Sequence, residues 1–335
     1  MDVRQLRYFV CIAQLGSLSA ASQRLGIAQP SLSQHVKHLE EELGVELLVR
    51  TSRGVSVTES GQILLTHAGR VLGALETAVS DMRDQVGAPR GPVSVGLPSS
   101  ACNVLSVPLA EAGRQMFPKI LLRILDVMSG HVQQWLSEGS IDLGILYDVN
   151  EVRHLRVTPL LVEELFLIAP RKTWPDEVDA KGVSRRSLSF AECAALELIL
   201  PHRTHGLREM IERVAAAQSI DLNVIMEMDA LAHLKTLVAR GAGYSILPPA
   251  AVIGDVEERK LVLVPVRDRL MRRTVYIVRN PQRVVTRAAL EIERLIIELV
   301  ADLVRRGVWR GELVKHRKRF SSTGQVAVSK QAVGP

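Results

Sequence analysis

Gly16-Ser17-Leu18-Ser19-Ala20-Ala21-Ser22-Gln23-Arg24-Leu25-Gly26-Ile27-Ala28-Gln29-Pro30-Ser31-Leu32-Ser33-Gln34 is the stretch that decides the fold. Gly16 suits the left-handed residue that ends one helix, and Ser17 suits the N-cap that starts the next. The second helix runs from Leu18 to Leu25 with small side chains at Ala20 and Ala21, and Gly26 breaks it. Ile27 and Ala28 form a tight link. Gln29-Pro30-Ser31 then opens a third helix, where proline is tolerated because a first-turn N–H has no intrahelical partner. Upstream, Leu6, Phe9, Val10 and Ala13 recur with a period of about 3.6 and give the first helix one apolar face. The third helix turns Leu32, Val36, Leu39 and Leu43 inward, and Gly44 ends it. Three short helices with a close crossing at Ala20 and Ala21 fit a helix-turn-helix. On its outer side the third helix carries Gln29, Ser31, Ser33, Gln34 and Lys37, with Pro30 at the same end. Amide, hydroxyl and ammonium groups in that array can bond base edges and phosphates in a major groove.

Beyond Gly44 the pattern changes. Glu46-Leu47-Leu48-Val49-Arg50 and Val55-Ser56-Val57-Thr58 read as two short strands, joined by Thr51-Ser52-Arg53-Gly54, where Gly54 can take positive φ. Arg50, Thr51 and Arg53 on this protruding hairpin fit a wing that reaches the DNA backbone or minor groove, and Arg4 near the chain start is a further phosphate contact. Thr58 then caps a long helix reaching about Val86. Leu64, Ala68, Val71, Leu75, Ala78 and Met82 alternate four- and three-residue steps along it, an a/d seam that favours helix pairing over packing on the chain's own body, because the helix reads as an isolated connector.

Gly87-Ala88-Pro89-Arg90-Gly91-Pro92 is a hinge by composition. After it, strands at Val93–Leu97, Ile120–Leu125 and Ile141–Leu146 alternate with helices near Asn103–Phe117 and Ser129–Glu138. A second set follows: strands at Leu198–Leu200, Asn223–Glu227 and Tyr244–Leu247, with helices near Gly206–Gln218 and Ala230–Arg240. Two such runs predict two α/β subdomains with parallel sheets and helical crossovers. Leu161–Ala169 and Leu261–Arg267 are the expected crossing segments. Thr274–Val278 and a helix from about Val284 return the chain to the first subdomain.

The 335 residues suit about two domains, with 47% hydrophobic and 23% charged residues, which excludes wholesale disorder. No apolar run approaches the roughly 18 residues of a membrane-spanning helix, so no membrane partner is expected. Gln14 interrupts the one N-terminal run that imitates a signal peptide. Cys11, Cys102 and Cys193 form no disulfide or metal pattern, which fits a reducing, cytoplasmic setting. The net charge of +6 misleads if read globally: from Arg305 onward eight basic residues face one acid, Glu312, so that tail carries +7 and the remainder −1. The tail after about Trp309 is expected to be disordered, either a solvated extension or an accessory contact to DNA phosphates.

Leu6-Arg7-Tyr8-Phe9, Gly16-Ser17-Leu18-Ser19-Ala20-Ala21, Ala28-Gln29-Pro30-Ser31-Leu32-Ser33, Leu39-Glu40, Leu43-Gly44, Leu47-Leu48-Val49-Arg50 and Thr58-Glu59-Ser60-Gly61 closely resemble the LysR-type transcriptional regulators. The likeness is specific through the amino-terminal winged domain and looser to about Arg306. Arg7-Tyr8-Phe9, the wing over 50–57 and Gly96-Leu97-Pro98 are most similar to the nitrogen assimilation control and cyanate regulator branch. The resemblance implies a winged helix-turn-helix DNA-binding domain over 1–58 and a linker and dimerisation helix over 59–88. It implies a periplasmic-binding-protein-like effector domain over 92–306, with subdomain I at 92–161 and 267–306 and subdomain II at 162–266. A basic tail over 307–335 follows. It also implies binding of a dyad-symmetric site on double-stranded DNA by a homo-oligomer, a dimer of dimers, with a contact to RNA polymerase and a small-molecule effector in the interlobe cleft.

Parallel α/β units bind ligands at the carboxyl ends of their strands, which points to three loops. Pro98, Ser99 and Ser100 follow the first strand; Ser129 and Gly130 open the helix after the second; His202, Arg203 and Thr204 follow a strand of the second subdomain. Their hydroxyls suit a small anion, and each alone also suits a helix cap. Arg203 suits a carboxylate, or a plain exposed loop. No catalytic chemistry is expected: Gly241-Ala242-Gly243 lacks the remaining features of a dinucleotide fingerprint, and no phosphate loop, nucleophile elbow or zinc-protease motif occurs. His202 and His205 lack companion ligands, so no metal and no cofactor are expected.

Overall fold

The computed structural model of the chain describes residues 1–51, 54–84, 88–127, 129–148, 155–283 and 285–314. The wing-tip Ser52 and Arg53, the hinge residue Gly87, Met128 and the tail from Lys315 lie outside them, as do the side chains of Arg50, Thr51, Met82 and Ser129.

Helices α1 (Val3–Leu15), α2 (Leu18–Leu25) and α3 (Gln29–Leu43) form the amino-terminal bundle, followed by the hairpin β1 (Leu48–Thr51) and β2 (Gly54–Val57). Asp2 and Gln5 close a reciprocal cap on α1, and Gly16 ends that helix at φ 60°. Ser17 caps α2 by accepting from the Ala20 N–H at 3.2 Å. Ala21 is fully buried in a cluster with Cys11, Ile12, Leu32 and Val36, so the small residue does permit the close crossing. Leu43 departs from expectation: it is 40% exposed, and Leu47, beyond Gly44, joins Phe9 and Leu39 instead. The third helix outruns the small core it packs on.

The wing is docked by backbone, which restricts Gly54. The Val55 N–H donates to the Gly16 carbonyl at 2.8 Å. A Cβ on Gly54, at φ 131°, would meet that same oxygen at 2.5 Å. We expect Gly54→Ala to destabilise the amino-terminal domain by about 1–3 kcal/mol, from strain at a conformation that suits glycine. Urea unfolding followed at this domain checks it; an unchanged midpoint would contradict the docking. Thr58 caps α4 (Glu59–Asp84) by accepting from the Gly61 N–H at 2.9 Å while donating to the Glu46 carbonyl at 2.7 Å. At 26 residues α4 is about 39 Å long.

The carboxyl-terminal part begins with β3 (Gly91–Leu97), α5 (Ser99–Met116), β4 (Ile120–Asp126), α6 (Ser129–Glu138), β5 (Leu143–Tyr147) and β6 (Arg156–Glu164). The chain then enters a second lobe through β7 (Phe166–Pro170), α7 (Phe190–Ala194), β8 (Leu198–Leu200), α8 (Gly206–Ala217), β9 (Val224–Glu227), α9 (Leu231–Ala239), β10 (Ser245–Leu247), α10 (Ile253–Glu257) and β11 (Leu261–Pro265). It returns through β12 (Arg272–Arg279), α11 (Arg287–Arg305) and β13 (Glu312–Leu313). The first lobe holds a six-stranded sheet of order β13-β6-β12-β5-β3-β4. The second holds β10-β7-β11 and the pair β8-β9, with a bridge from Leu198 to Tyr244.

Several expectations need correction here. The sheets are mixed: β4, β3 and β5 run parallel, but β12, β6 and β13 are antiparallel because two of them belong to the returning chain. Residues 161–169 and 261–267 are mostly strand, and the crossings narrow to Leu165 and the turn from Val266 to Met271. The helix expected from Asn103 starts at Ser99, with Pro98 as its N-cap, so Ser99 and Ser100 belong to a helical first turn. The capping residue of α11 is Thr286, whose hydroxyl accepts from the Ala289 N–H at 3.0 Å. The tail expectation fails for residues 307–314. Trp309 is 0% exposed inside the first lobe's core, and Glu312 and Leu313 add an edge strand to β6. An indole burying this much surface outweighs the basic character of the flanking sequence.

Candidate functional site

Two surfaces concentrate polar side chains. The first is the face of α3. Gln29, Pro30, Gln34 and Lys37 are exposed, and Ser31 and Ser33 are half-buried at the same helix end. Ala28 caps this helix without a side-chain hydrogen bond, so its N-terminal amides face outward with the positive end of the helix dipole. Lys37 lies 3.6 Å from Glu41, an exposed pair that constrains the ammonium little. His35 packs edge-on against Tyr8 of α1 at 5.1 Å, which leaves that histidine a packing role. Arg4 is exposed on the first turn of α1. Arg50 and Thr51 sit in β1, at the tip end of the wing.

The second surface is a cleft between the lobes, of about 50 Å³. Its first-lobe wall is Pro98, Ser99, Ser100, Val127, Tyr147 and Arg273. The opposite wall is largely apolar, with Leu207, Met228, Leu231, Leu234 and Leu247, plus His205 and Asp229 as its polar members. By the measure in which one water needs about 10–15 Å³, the space holds a few waters. It therefore fits a small ligand.

A buried ionic network backs the first wall. The Arg273 guanidinium, 4% exposed, pairs with Glu163, 0% exposed, with Nη2 at 2.6 Å from Oε1 and Nε donating to it at 2.7 Å. Arg273 Nη2 also donates to Ser100 Oγ at 3.1 Å, and Ser100 Oγ shares a 2.8 Å hydrogen bond with Tyr147 OH. The guanidinium carbon lies 3.5 Å from the Tyr147 ring centroid, within cation–π range. Behind them, Trp309 Nε1 donates to Glu163 Oε2 at 2.8 Å. Burial pushes the Tyr147 phenol up to about 12, so it remains a neutral donor. Burial works against charge on Arg273, but Glu163 outweighs it and holds the guanidinium above its ordinary value.

On the facing wall, His205 caps α8, with Nδ1 accepting from the Leu207 N–H at 3.2 Å. Burial first, then the charge of Arg273, lowers its pKa, which keeps the imidazole neutral near pH 7. Asp229 Oδ1 accepts from the His202 N–H at 2.8 Å.

Three of the residues expected at the cleft, Pro98, Ser99 and Ser100, line it. His202, Arg203 and Thr204 are exposed in the turn before α8, while their neighbours Pro201 and His205 face the cleft. His202 Nδ1 bonds Thr204 Oγ1 at 3.1 Å, a local turn contact. Gly130 is exposed at the start of α6, and neither it nor Ser129 is among the lining residues. Tyr147, His205, Asp229 and Arg273 were missed. Tyr147 and Asp229 stand at or just past strand ends, where the same carboxyl-end rule finds them once the strands are placed. Arg273 carries no such signal, being the second residue of β12, at the amino end of that strand. Among the described residues no group of three or more His, Cys, Asp or Glu side chains is placed to hold a metal, and no helix is long and apolar enough to cross a membrane.

A winged helix-turn-helix joined by one long helix to a two-lobed α/β ligand-binding domain defines a one-component transcriptional regulator. Residues 3–62 match the family described as bacterial regulatory helix-turn-helix protein, lysR family, and residues 87–301 match the LysR substrate binding domain. The nitrogen assimilation regulatory protein nac of Klebsiella aerogenes is 33% identical over 252 residues, 75% of this chain and 79% of that protein. A full-length OxyR variant from Pseudomonas aeruginosa shares the fold at a TM-score of 0.70 and 24% identity, covering 94% of this chain and 99% of that one. Full-length CbnR complexed with its target DNA superposes at 0.64 and 20% identity, covering 90% and 99%. The chain belongs to the LysR family: it is a DNA-binding transcriptional regulator with an effector-binding domain, not an enzyme.

Proposed function

We propose that this regulator reads a dyad-symmetric promoter site in the cytoplasm as a homo-oligomer, a dimer of dimers, with α3 in the major groove. Gln29, Ser31, Ser33 and Gln34 read base edges, with Pro30 against them. Lys37, Arg4, Arg50, Thr51 and Arg53 hold phosphates. The observation that carries this reading is the exposed polar face of α3 around its open N-terminus, set on a buried core by its opposite face. Such a helix end places amides and short polar side chains against base edges while flanking cations fix register.

Pairing runs through α4. Leu64 is half-buried and Ala68 is buried against the chain itself, but Val71 and Leu75, further along the same seam, are 47% and 39% exposed. An apolar stripe half of which meets its own domain and half of which faces solvent fits a second copy along the free half. The interlobe cleft takes a small effector through Ser99 and Ser100. A ligand with different affinity for two lobe arrangements shifts their populations, and α4 carries that change to the recognition helices and to RNA polymerase.

The test is base selection from random duplex DNA. Gln29→Ala is expected to lose about 1–3 kcal/mol of discrimination at particular base pairs while keeping most of its non-specific affinity. Arg4→Ala is expected to weaken all sequences alike and reduce the salt dependence. Uniform loss on every site for Gln29→Ala contradicts the assignment of α3.

A further inference from the structure

The cleft's one buried cation does not make it an anion site. Arg273 is matched by Glu163 at 2.6 Å, so the pair contributes no net charge to the wall. Arg208, which donates to the Pro201 carbonyl behind the facing wall at 3.2 Å, is matched by Glu212 and Glu227, and the other ionised groups described at the walls are acidic. Asp229 lines the cleft, and Asp126 accepts from the Ser99 hydroxyl at 2.7 Å just behind the first wall. Among the described residues neither carboxylate has a cation within ion-pair distance. His205 lies within the fields of both Arg273 and Asp229, and is held neutral by its surroundings.

We infer that the effector cleft, if read as above, selects a small ligand bearing an ammonium group, which Asp229 receives while the hydroxyl wall of Ser100 and Tyr147 takes its polar end. This rests on the effector reading of the cleft and adds the chemical class. The opposite wall of Leu207, Met228 and Leu234 accepts a short apolar stem. An exposed carboxylate at the cleft wall, with no cation paired to it, attracts a cation and disfavours an anion by the same interaction. The role of Glu163 is then to neutralise Arg273, and Trp309 is a positioning residue that holds the second oxygen of that carboxylate.

Four probes of similar size and different charge test this on the full chain: propylamine, L-alanine, propanoate and propanamide, compared by thermal-shift titration at matched ionic strength. Propylamine and L-alanine separate a plain cation from a zwitterion, and binding of either supports the inference. The expected preference over propanoate is about tenfold. Asp229→Asn, at an exposed position that the fold tolerates, removes that preference. Glu163→Gln leaves Arg273 unbalanced and turns the order toward propanoate. Propanoate or propanamide binding the wild type as tightly as the amines overturns the inference and leaves the cleft as a ligand site. So does a preference that survives Asp229→Asn. No binding of any probe to the wild type or to either variant overturns the effector reading itself, and the inference with it.

Discussion

Arg273→Met is expected to lower the stability of the effector domain by about 3–5 kcal/mol, the usual cost of leaving one member of a buried ion pair uncompensated. Glu163 is fully buried, and its remaining partner would be the Trp309 indole alone. The carboxylate must then stay ionised without its cation or take up a proton. Adding Glu163→Gln to Arg273→Met removes the stranded charge and is expected to recover much of the loss. Equilibrium unfolding by urea, followed by the fluorescence of the effector domain's tryptophans, measures both. A loss below about 1 kcal/mol for the single variant would mean that water reaches the pair.

Leu75→Asp is expected to have the larger effect on DNA. Val71 and Leu75 stand exposed on α4, so a charge at Leu75 should leave the subunit folded. It places like charges against each other across a paired seam. Sedimentation is expected to shift toward the single subunit. Operator affinity should fall by about 10²-fold or more, because two recognition helices no longer bind as one unit. Unfolding of the amino-terminal domain should be unchanged, since Leu64 and Ala68, which pack on the chain itself, are untouched. An oligomer that persists with wild-type affinity would place the seam elsewhere.

The amino-terminal domain was legible because each of its signals is local. Gly16, Ser17, Gly26 and Gly44 sit where helix ends require them, and Ala21 is small where two helices cross. The two lobes were legible as alternating strands and helices, and the strand-end rule pointed to Ser99 and Ser100, which line the cleft. Contacts between distant parts of the chain were not. Glu163 and Arg273 are 110 residues apart, and each in isolation reads as an exposed charge on a strand. Trp309 lies in a stretch whose basic composition favours disorder, and only its fit into the first lobe's core reverses that. The linker seam was ambiguous because one heptad pattern serves two purposes along a single helix. Its first members close the amino-terminal core, and later ones face outward.

The most direct test of DNA reading by paired α3 helices is footprinting of the purified protein on genomic fragments at low and physiological ionic strength, with Gln29→Ala alongside. Protection of two related half-sites in dyad arrangement, their centres separated by about one helical turn or a multiple of it, is the result expected, with base preference relaxed at the same positions of each half-site in the variant. Protection of a single unrepeated site, or binding with no dependence on sequence in the wild type, would contradict it.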